Sequence, residues 1–294
     1  MVQCGNIPRT LRRSLYLGGM DLSNISTIGY GLLGLAAGGL LNLLADYLPR
    51  RELSGLPACA SCGKPHHWPS WLALTTWMLM RGRCEHCGTR IPHRRLFVEL
   101  VTALLFAFLW HRYGPSTRLV LETLYTAIFI LLFIIDLEHR LILHVTTLPA
   151  IGLAIAGSLF LSRENYNWHL ALLGGATGFL FVWGMYLCGH LFVRFIERRQ
   201  KRKIKEAAFG FGDVTLSTFI GVVVGFPNIT FALVLGILLG GAGGAIYWLI
   251  KAIIHKEYSA FTAIPYGPFL ITGGWSFMIW GQEFFQWYAR TNAV

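Results

Sequence analysis

The sequence predicts an all-α polytopic membrane protein of about eight transmembrane helices, with a small cytoplasmic zinc-ribbon-like loop domain. Three observations carry this expectation. Of 294 residues, 54% are hydrophobic and 13% are charged, about half the charged share of a soluble domain. Mean hydropathy is +0.54. Apolar stretches also recur along most of the chain, several near the roughly 20 residues that cross a bilayer core. Such a composition cannot cover two soluble cores with polar surface, which excludes an ordinary cytosolic, disordered or collagenous chain.

Residues 1–24 form an N-terminal segment, and 25–48 the first span. That span is too long for a cleavable signal peptide, and Pro49-Arg50-Arg51 follows it in place of a small-residue cleavage site. Residues 49–95 make the one loop long enough to fold on its own. The membrane domain, 96–294, holds further spans at about 96–111, 118–136, 144–161, 169–193, 213–226, 229–250 and 267–288. Val214 to Ile250 carries no charged residue and exceeds one span. Gly225-Phe226-Pro227-Asn228 supplies a turn that divides it and leaves the first half short. Gly31, Gly34, Gly38 and Gly39, and again Gly240, Gly241, Gly243 and Gly244, suit close helix packing in lipid.

The formal net charge of +11 sits in two places. Residues 49–95 carry 8 Lys and Arg against 2 acids, and residues 194–212 carry 7 against 2, which together account for the whole excess. Positive loops stay cytoplasmic, so both segments belong on that side, with the termini outside. The charge therefore reads as topology. No nucleic-acid-binding signature accompanies it, and anionic membrane lipids are the expected electrostatic partner.

Loop 49–95 contains Cys59-Ala-Ser-Cys62-Gly63 and Cys84-Glu-His-Cys87-Gly88. Two C-x-x-C-G knuckles at this spacing suit four thiolates around one tetrahedral ion, a closed structural zinc site. Redox pairs or unpaired thiols are the other reading. His66, His67, His86 and His93 read as polar loop surface, Cys4 has no obvious partner, and Cys188 reads as a small buried residue.

Carboxylates in apolar spans are costly and mark functional candidates. Asp136 ends the third span and Asp213 begins the sixth, at one predicted depth. Each alone has a bland role: Asp136 capping a helix or pairing with Arg140, Asp213 N-capping its span. Together the two would repel and share one proton, the state a water-activating dyad needs. Gly210 and Gly212 precede Asp213 and would let an extended peptide approach closely. Glu99 and Glu122 lack such context, and Glu99 reads as structural, meeting a basic residue of the first loop.

These features resemble, in this order, the type IV prepilin leader peptidases, the prepilin peptidase/N-methyltransferase family of G-x-G-D membrane aspartic proteases. The resemblance runs from about Gly31 to Trp280. It rests on Gly38-Gly39-Leu40-Leu41-Asn42, Leu48-Pro49, the Cys pairs, Val98-Glu99-Leu100, Ile135-Asp136, Gly210-Phe211-Gly212-Asp213 and Ile264-Pro265-Tyr266-Gly267-Pro268. It implies that Asp136 and Asp213 are catalytic and need no cofactor for proteolysis. It implies cleavage of the basic leader of prepilins or pseudopilins after glycine, at the cytoplasmic face of a bacterial inner membrane. Many bacterial members then methylate the new N-terminus with S-adenosylmethionine, which depends on the cysteine loop.

Four stretches depart from the family pattern. Ile142-Leu143-His144 replaces an Ile/Leu-Pro-Asp, Thr215 stands at a common lysine, Trp71-Leu72-Ala73-Leu74 replaces an Asn-Ile-Pro-Leu run, and Leu96-Phe97 replaces Tyr-Pro. His144 would tune the dyad or cap the fourth span. Two competing readings stand beside the peptidase: a membrane transporter with an accessory zinc loop, and an inactive pilin-binding scaffold.

Overall fold

The computed structural model describes residues 22–49, 59, 62–64, 72–160, 167–200, 210–255 and 265–291. Among them are nine helices and one isolated β-bridge, Arg83 with Arg90. The helices are α1 (Leu22–Tyr47), α2 (Ala73–Met80), α3 (His93–Tyr113), α4 (Thr117–His139), α5 (His144–Phe160), α6 (Trp168–Gln200), α7 (Phe211–Val224), α8 (Asn228–His255) and α9 (Gly267–Thr291). Each of the eight expected spans coincides with one helix. Cys4, His66, His67, Trp71, Ile264 and Lys201 to Phe209 lie outside the described residues.

Five of these helices are long and apolar enough to cross a membrane, over Asn24–Tyr47, His93–Tyr113, Thr117–His139, Trp168–Ile196 and Asn228–Lys251. α5 and α7 are apolar but shorter. The 14 residues of α7 rise only about 21 Å, against roughly 30 Å of hydrocarbon core. α9 has the length, but its second half carries Gln282, Glu283, Gln286 and Arg290.

Two local expectations change. The sequence places the start of the fifth loop at Arg194, yet α6 continues to Gln200, and Arg, Glu and Gln are good helix formers. The first loop contains α2, eight residues whose apolar run is too short to stand out in sequence.

The described residues fall into two compact units, one within residues 1–40 and 56–115, the other within 41–55 and 116–294. In the first, α1 lies directly on α3. A β-carbon at Gly34 would sit 2.8 Å from Ala103 Cα, and one at Gly38 2.7 Å from Glu99 Cα. Small residues thus let the backbones touch, which substitutes for a hydrophobic driving force in lipid. The Trp110 indole N–H donates to Ser26 Oγ at 3.0 Å, and its ring lies 5.2 Å from Tyr30.

In the second unit α7 is the central element, buried from Val214 to Val224 except at Thr218. α6 meets it through glycine: Gly174 abuts Gly221, and Ser217 Oγ donates to the Gly178 carbonyl at 3.0 Å. Gly274 of α9 sits on Ile220, and Phe129 of α4 packs its ring 5.1 Å from Phe219. Trp275 of α9 donates to Thr126 of α4 at 3.1 Å. The expected turn between α7 and α8 is present, with Gly225 at φ 76 and the Phe226 N–H held by the Leu170 carbonyl at 2.9 Å. A helix apolar on every face and enclosed by others is what such a composition predicts.

Candidate functional site

Asp136 lies in the last turn of α4, which ends at Arg140 in the left-handed conformation, φ 52. Arg140 donates its main-chain N–H to the Asp136 carbonyl at 2.9 Å. The Gly267 N–H, at the start of α9, reaches the Asp136 carboxyl group. Asp136 is 5% exposed, and its Oδ2 has no hydrogen-bond partner among the described residues. Gly267, the first residue of α9, abuts that oxygen.

Asp213 is not the N-cap of its helix. Gly210 is, and Asp213 stands at the third position, where its Oδ2 accepts the Gly210 N–H at 3.0 Å. An acid in the first turn also complements the helix dipole. The Asp213 N–H in turn donates to the Gly210 carbonyl at 3.1 Å. The fold brings the two carboxyl groups, 77 positions apart in the chain, close enough for their charges to interact.

The two glycines differ. Gly212 is packed against the link between α4 and α5: a β-carbon there would lie 2.7 Å from Ile142 Cβ. Its missing side chain is used by Ile142. Gly210 is exposed, and a β-carbon there would make only ordinary contacts, 3.9 Å from Asp213 Oδ2 and 3.9 Å from Gly212 N. Thr215, at the position of the common lysine, donates to the Gly212 carbonyl at 2.9 Å, and Thr147 of α5 reaches its hydroxyl at 3.4 Å. His144 opens α5 and stacks on Phe211 with centroids 5.7 Å apart.

Two site residues escaped the sequence reading as individuals, Gly267 and Tyr266. Tyr266 lies against Gly240 of α8. Burial, and then the Asp213 charge, push its phenol up to about 12. A Pro-Tyr-Gly-Pro run just before a span was the available signal.

In the other unit the two knuckles repeat one design. Cys59 N–H donates to Lys64 O at 3.0 Å and Gly63 N–H to Cys59 O at 2.8 Å. Cys84 N–H donates to Thr89 O at 2.8 Å and Gly88 N–H to Cys84 O at 2.9 Å. Gly63 and Gly88 take φ 68 and φ 69, which a side chain would strain. The sulfurs of Cys59, Cys62, Cys84 and Cys87 all lie within 4.8 Å of one another, and this cluster can hold a metal ion. The Cys59–Cys87 separation is 3.7 Å, against about 3.8 Å for the edge of a tetrahedron with 2.3 Å zinc–sulfur bonds. Thr89, through its hydroxyl and its N–H, holds the Cys87 thiol down to about 6. At Cys62 the Lys64 N–H pulls the same way, but burial and the three neighbouring thiols outweigh it and leave it at about 11.

Glu99 is buried, and its carboxylate accepts the N–H groups of Ala73 at 2.6 Å and Leu74 at 2.8 Å, capping α2 from α3. Arg95, one turn earlier on α3, adds its charge nearby, so the structural reading is extended from a basic partner to a helix end. Glu122 faces Arg118 at 3.5 Å. Cys188, expected to be buried, is exposed on α6.

Residues 32–113 match the bacterial peptidase A24 N-terminal domain, and residues 123–245 match the type IV leader peptidase family. Among curated relatives, a prepilin leader peptidase/N-methyltransferase of Dichelobacter nodosus is 30% identical over 231 residues, 78% of this chain and 72% of the relative. One of Pseudomonas aeruginosa is 29% identical over 290 residues, covering 88% of this chain and 92% of its own. One of Aeromonas salmonicida is 28% identical over 234 residues, covering 79% and 74%. No solved structure matches the chain. These matches do not favour the transporter or scaffold readings.

Proposed function

This chain belongs to the type IV leader peptidase family, and from that premise we propose that it is a membrane aspartic endopeptidase acting on prepilins or pseudopilins. Asp136 and Asp213 are its catalytic pair. The observation that supports this most directly is that the Asp213 carboxyl, at the start of α7, lies near enough to act electrostatically on Asp136 at the end of α4.

Two adjacent carboxyls hold one proton between them. The ionised one takes a proton from water as the water oxygen attacks the scissile carbonyl carbon. The protonated one gives its proton to the carbonyl oxygen. As the tetrahedral intermediate collapses, one hydroxyl proton returns to the second carboxylate, the C–N bond breaks and the amine leaves with the proton gained from water, so the pair again holds one proton. The exposed Gly210, without a side chain, lets an extended leader approach beside Asp213. Gly212, by admitting Ile142, holds the Gly210–Asp213 turn in register with the end of α4.

Cleavage follows a glycine at the cytoplasmic face of a bacterial inner membrane, with loop 49–95 on that side. Residues 25–48 serve as the first anchor, 49–95 as the metal loop and 96–294 as the peptidase domain. Cys59, Cys62, Cys84 and Cys87 hold a structural zinc, which supplies rigidity and no step of proteolysis. A second activity, methylation of the new N-terminal amine from S-adenosylmethionine, accords with the N-methyltransferase names of the relatives.

The test is a cleavage assay. Purified protein is mixed with a prepilin-like peptide bearing a basic leader, a glycine and an apolar helix. Asp136→Asn and Asp213→Asn should each abolish cleavage while remaining folded, and cleavage by either at the parent rate would overturn the assignment. Labelled S-adenosylmethionine in the same tube reads the second activity.

A further inference from the structure

Beside the thiolate cluster, the metal-loop unit forms a partly open cavity of about 400 Å³ that no step of the proposed proteolysis uses. Trp77, Met80, Arg81, Arg83, Arg90 and His93 line it. The local chain explains why three arginines line it. Arg81 caps α2 in the left-handed conformation, φ 52. Gly82, at φ 69, lays its bare face on the Trp77 indole, where a β-carbon would be 2.7 Å from the ring. Arg83 and Arg90 are paired across the β-bridge, and directly paired residues project from the same face of a ribbon.

None of the three guanidinium groups is in an ion pair among the described residues. The Trp77 Nε1–H is buried and has no partner among them. His93 packs its ring 4.8 Å from Trp77. Three arginines thus line the cavity beside a buried indole N–H without a partner, and among the described residues no acid lines it.

The position of α2 supplies the second observation. Glu99 of α3 fixes its N-terminus, and His93, the first residue of α3, meets Trp77. Six residues of rise separate those two levels, about 9 Å. α2 therefore runs beside the first two turns of a membrane-crossing helix. Met78 is 77% exposed, Leu79 73% and Phe97 of α3 69%. Exposed apolar side chains on a helix that ends at Arg81 match the boundary between acyl chains and headgroups.

We propose that this cavity binds the phosphate-bearing headgroup of an anionic phospholipid, with α2 lying in the membrane interface. Arg81, Arg83 and Arg90 hold the phosphate oxygens, for which the guanidinium fork is suited. Trp77 donates its N–H, and Met78 and Leu79 rest among the acyl chains. The site needs only the membrane placement of α3, so it stands or falls separately from the peptidase assignment.

The test uses the full-length protein in nonionic detergent and a phosphatidylglycerol carrying a photoreactive acyl chain. Crosslinks should map to residues 73–97. Unlabelled phosphatidylglycerol should compete and phosphatidylcholine should not. The triple variant Arg81→Gln/Arg83→Gln/Arg90→Gln should bind roughly a hundredfold more weakly, about fivefold per arginine. Trp77→Phe keeps the ring, deletes the donor and should weaken binding about fivefold. Bound metal content reports whether each variant still folds, and should the triple variant lose metal, Trp77→Phe and the competition series decide. Equal competition by phosphatidylcholine, or parent-like binding in metal-replete variants, would overturn the proposal. Inorganic phosphate competing as well as the lipid would overturn it in favour of free phosphate, and S-adenosylmethionine doing so would give the cavity to the methyl donor.

Discussion

Gly267→Ala isolates the geometry of the carboxyl pair. Gly267 opens α9 and is not among the positive-φ residues, so alanine fits its backbone and costs the helix nothing. The added methyl, however, lands on Asp136 Oδ2. The carboxyl must yield, and a displacement of about 1 Å costs roughly a hundredfold in rate, or about 2.7 kcal/mol of transition-state stabilisation. The assay is kcat/KM for leader cleavage, read beside thermal unfolding of the same preparation. Gly152→Ala is the control, since a β-carbon there meets nothing within 4 Å. We expect Gly267→Ala to unfold at the parent temperature and to cleave about a hundredfold more slowly, with Gly152→Ala unchanged in both. A Gly267→Ala protein of parent kcat/KM would refute the reasoning, because the Asp136 oxygen would then not need the position the bare glycine gives it.

Further expectations concern the metal loop and the surroundings of the pair. Cys84→Ser should lose bound metal, as measured by elemental analysis, and open the loop to proteolysis, since a structural zinc contributes about 10 kcal/mol or more to folding. Glu99→Gln offers one carbonyl oxygen to two N–H donors, Ala73 and Leu74. It should destabilise α2 by about 1–3 kcal/mol, seen as faster hydrogen exchange at those amides. His144→Ala should leave the cleavage rate within about threefold of the parent, because the imidazole is stacked on Phe211. A larger loss, with a shifted pH profile, would mean that the ring acts on the carboxyl pair.

The membrane helices were legible because lipid demands long apolar segments, a signal that survives without any knowledge of neighbours. α2 was not, since its eight residues owe their helix to Glu99, a contact made from 25 and 26 positions away. The Cys pairs announced themselves by spacing, as local turns with their own glycines do. Asp136 and Asp213 stood out as acids in apolar surroundings. Gly267 did not, because the use of a missing side chain is visible only against what would collide with it. Gly212 shows the same limit: sequence suggested an approaching peptide, while the space beside it holds Ile142.

The enclosure of α7 carries a consequence for how the protein meets bilayers of different thickness. A 14-residue span facing lipid would suffer a hydrophobic mismatch of roughly 9 Å, relieved by thinning or tilting that varies with acyl-chain length. Nearly every residue of α7 from Val214 onward is covered by protein instead. The mismatch falls on α6 and α8, which have length to spare. Asp213 therefore rides on a helix whose body, from Val214 onward, is covered by protein, and its height is set by side-chain packing. Cleavage rates in short-chain and long-chain vesicles should then be governed by how the substrate helix fits the bilayer, with the carboxyl pair itself acting as a fixed point.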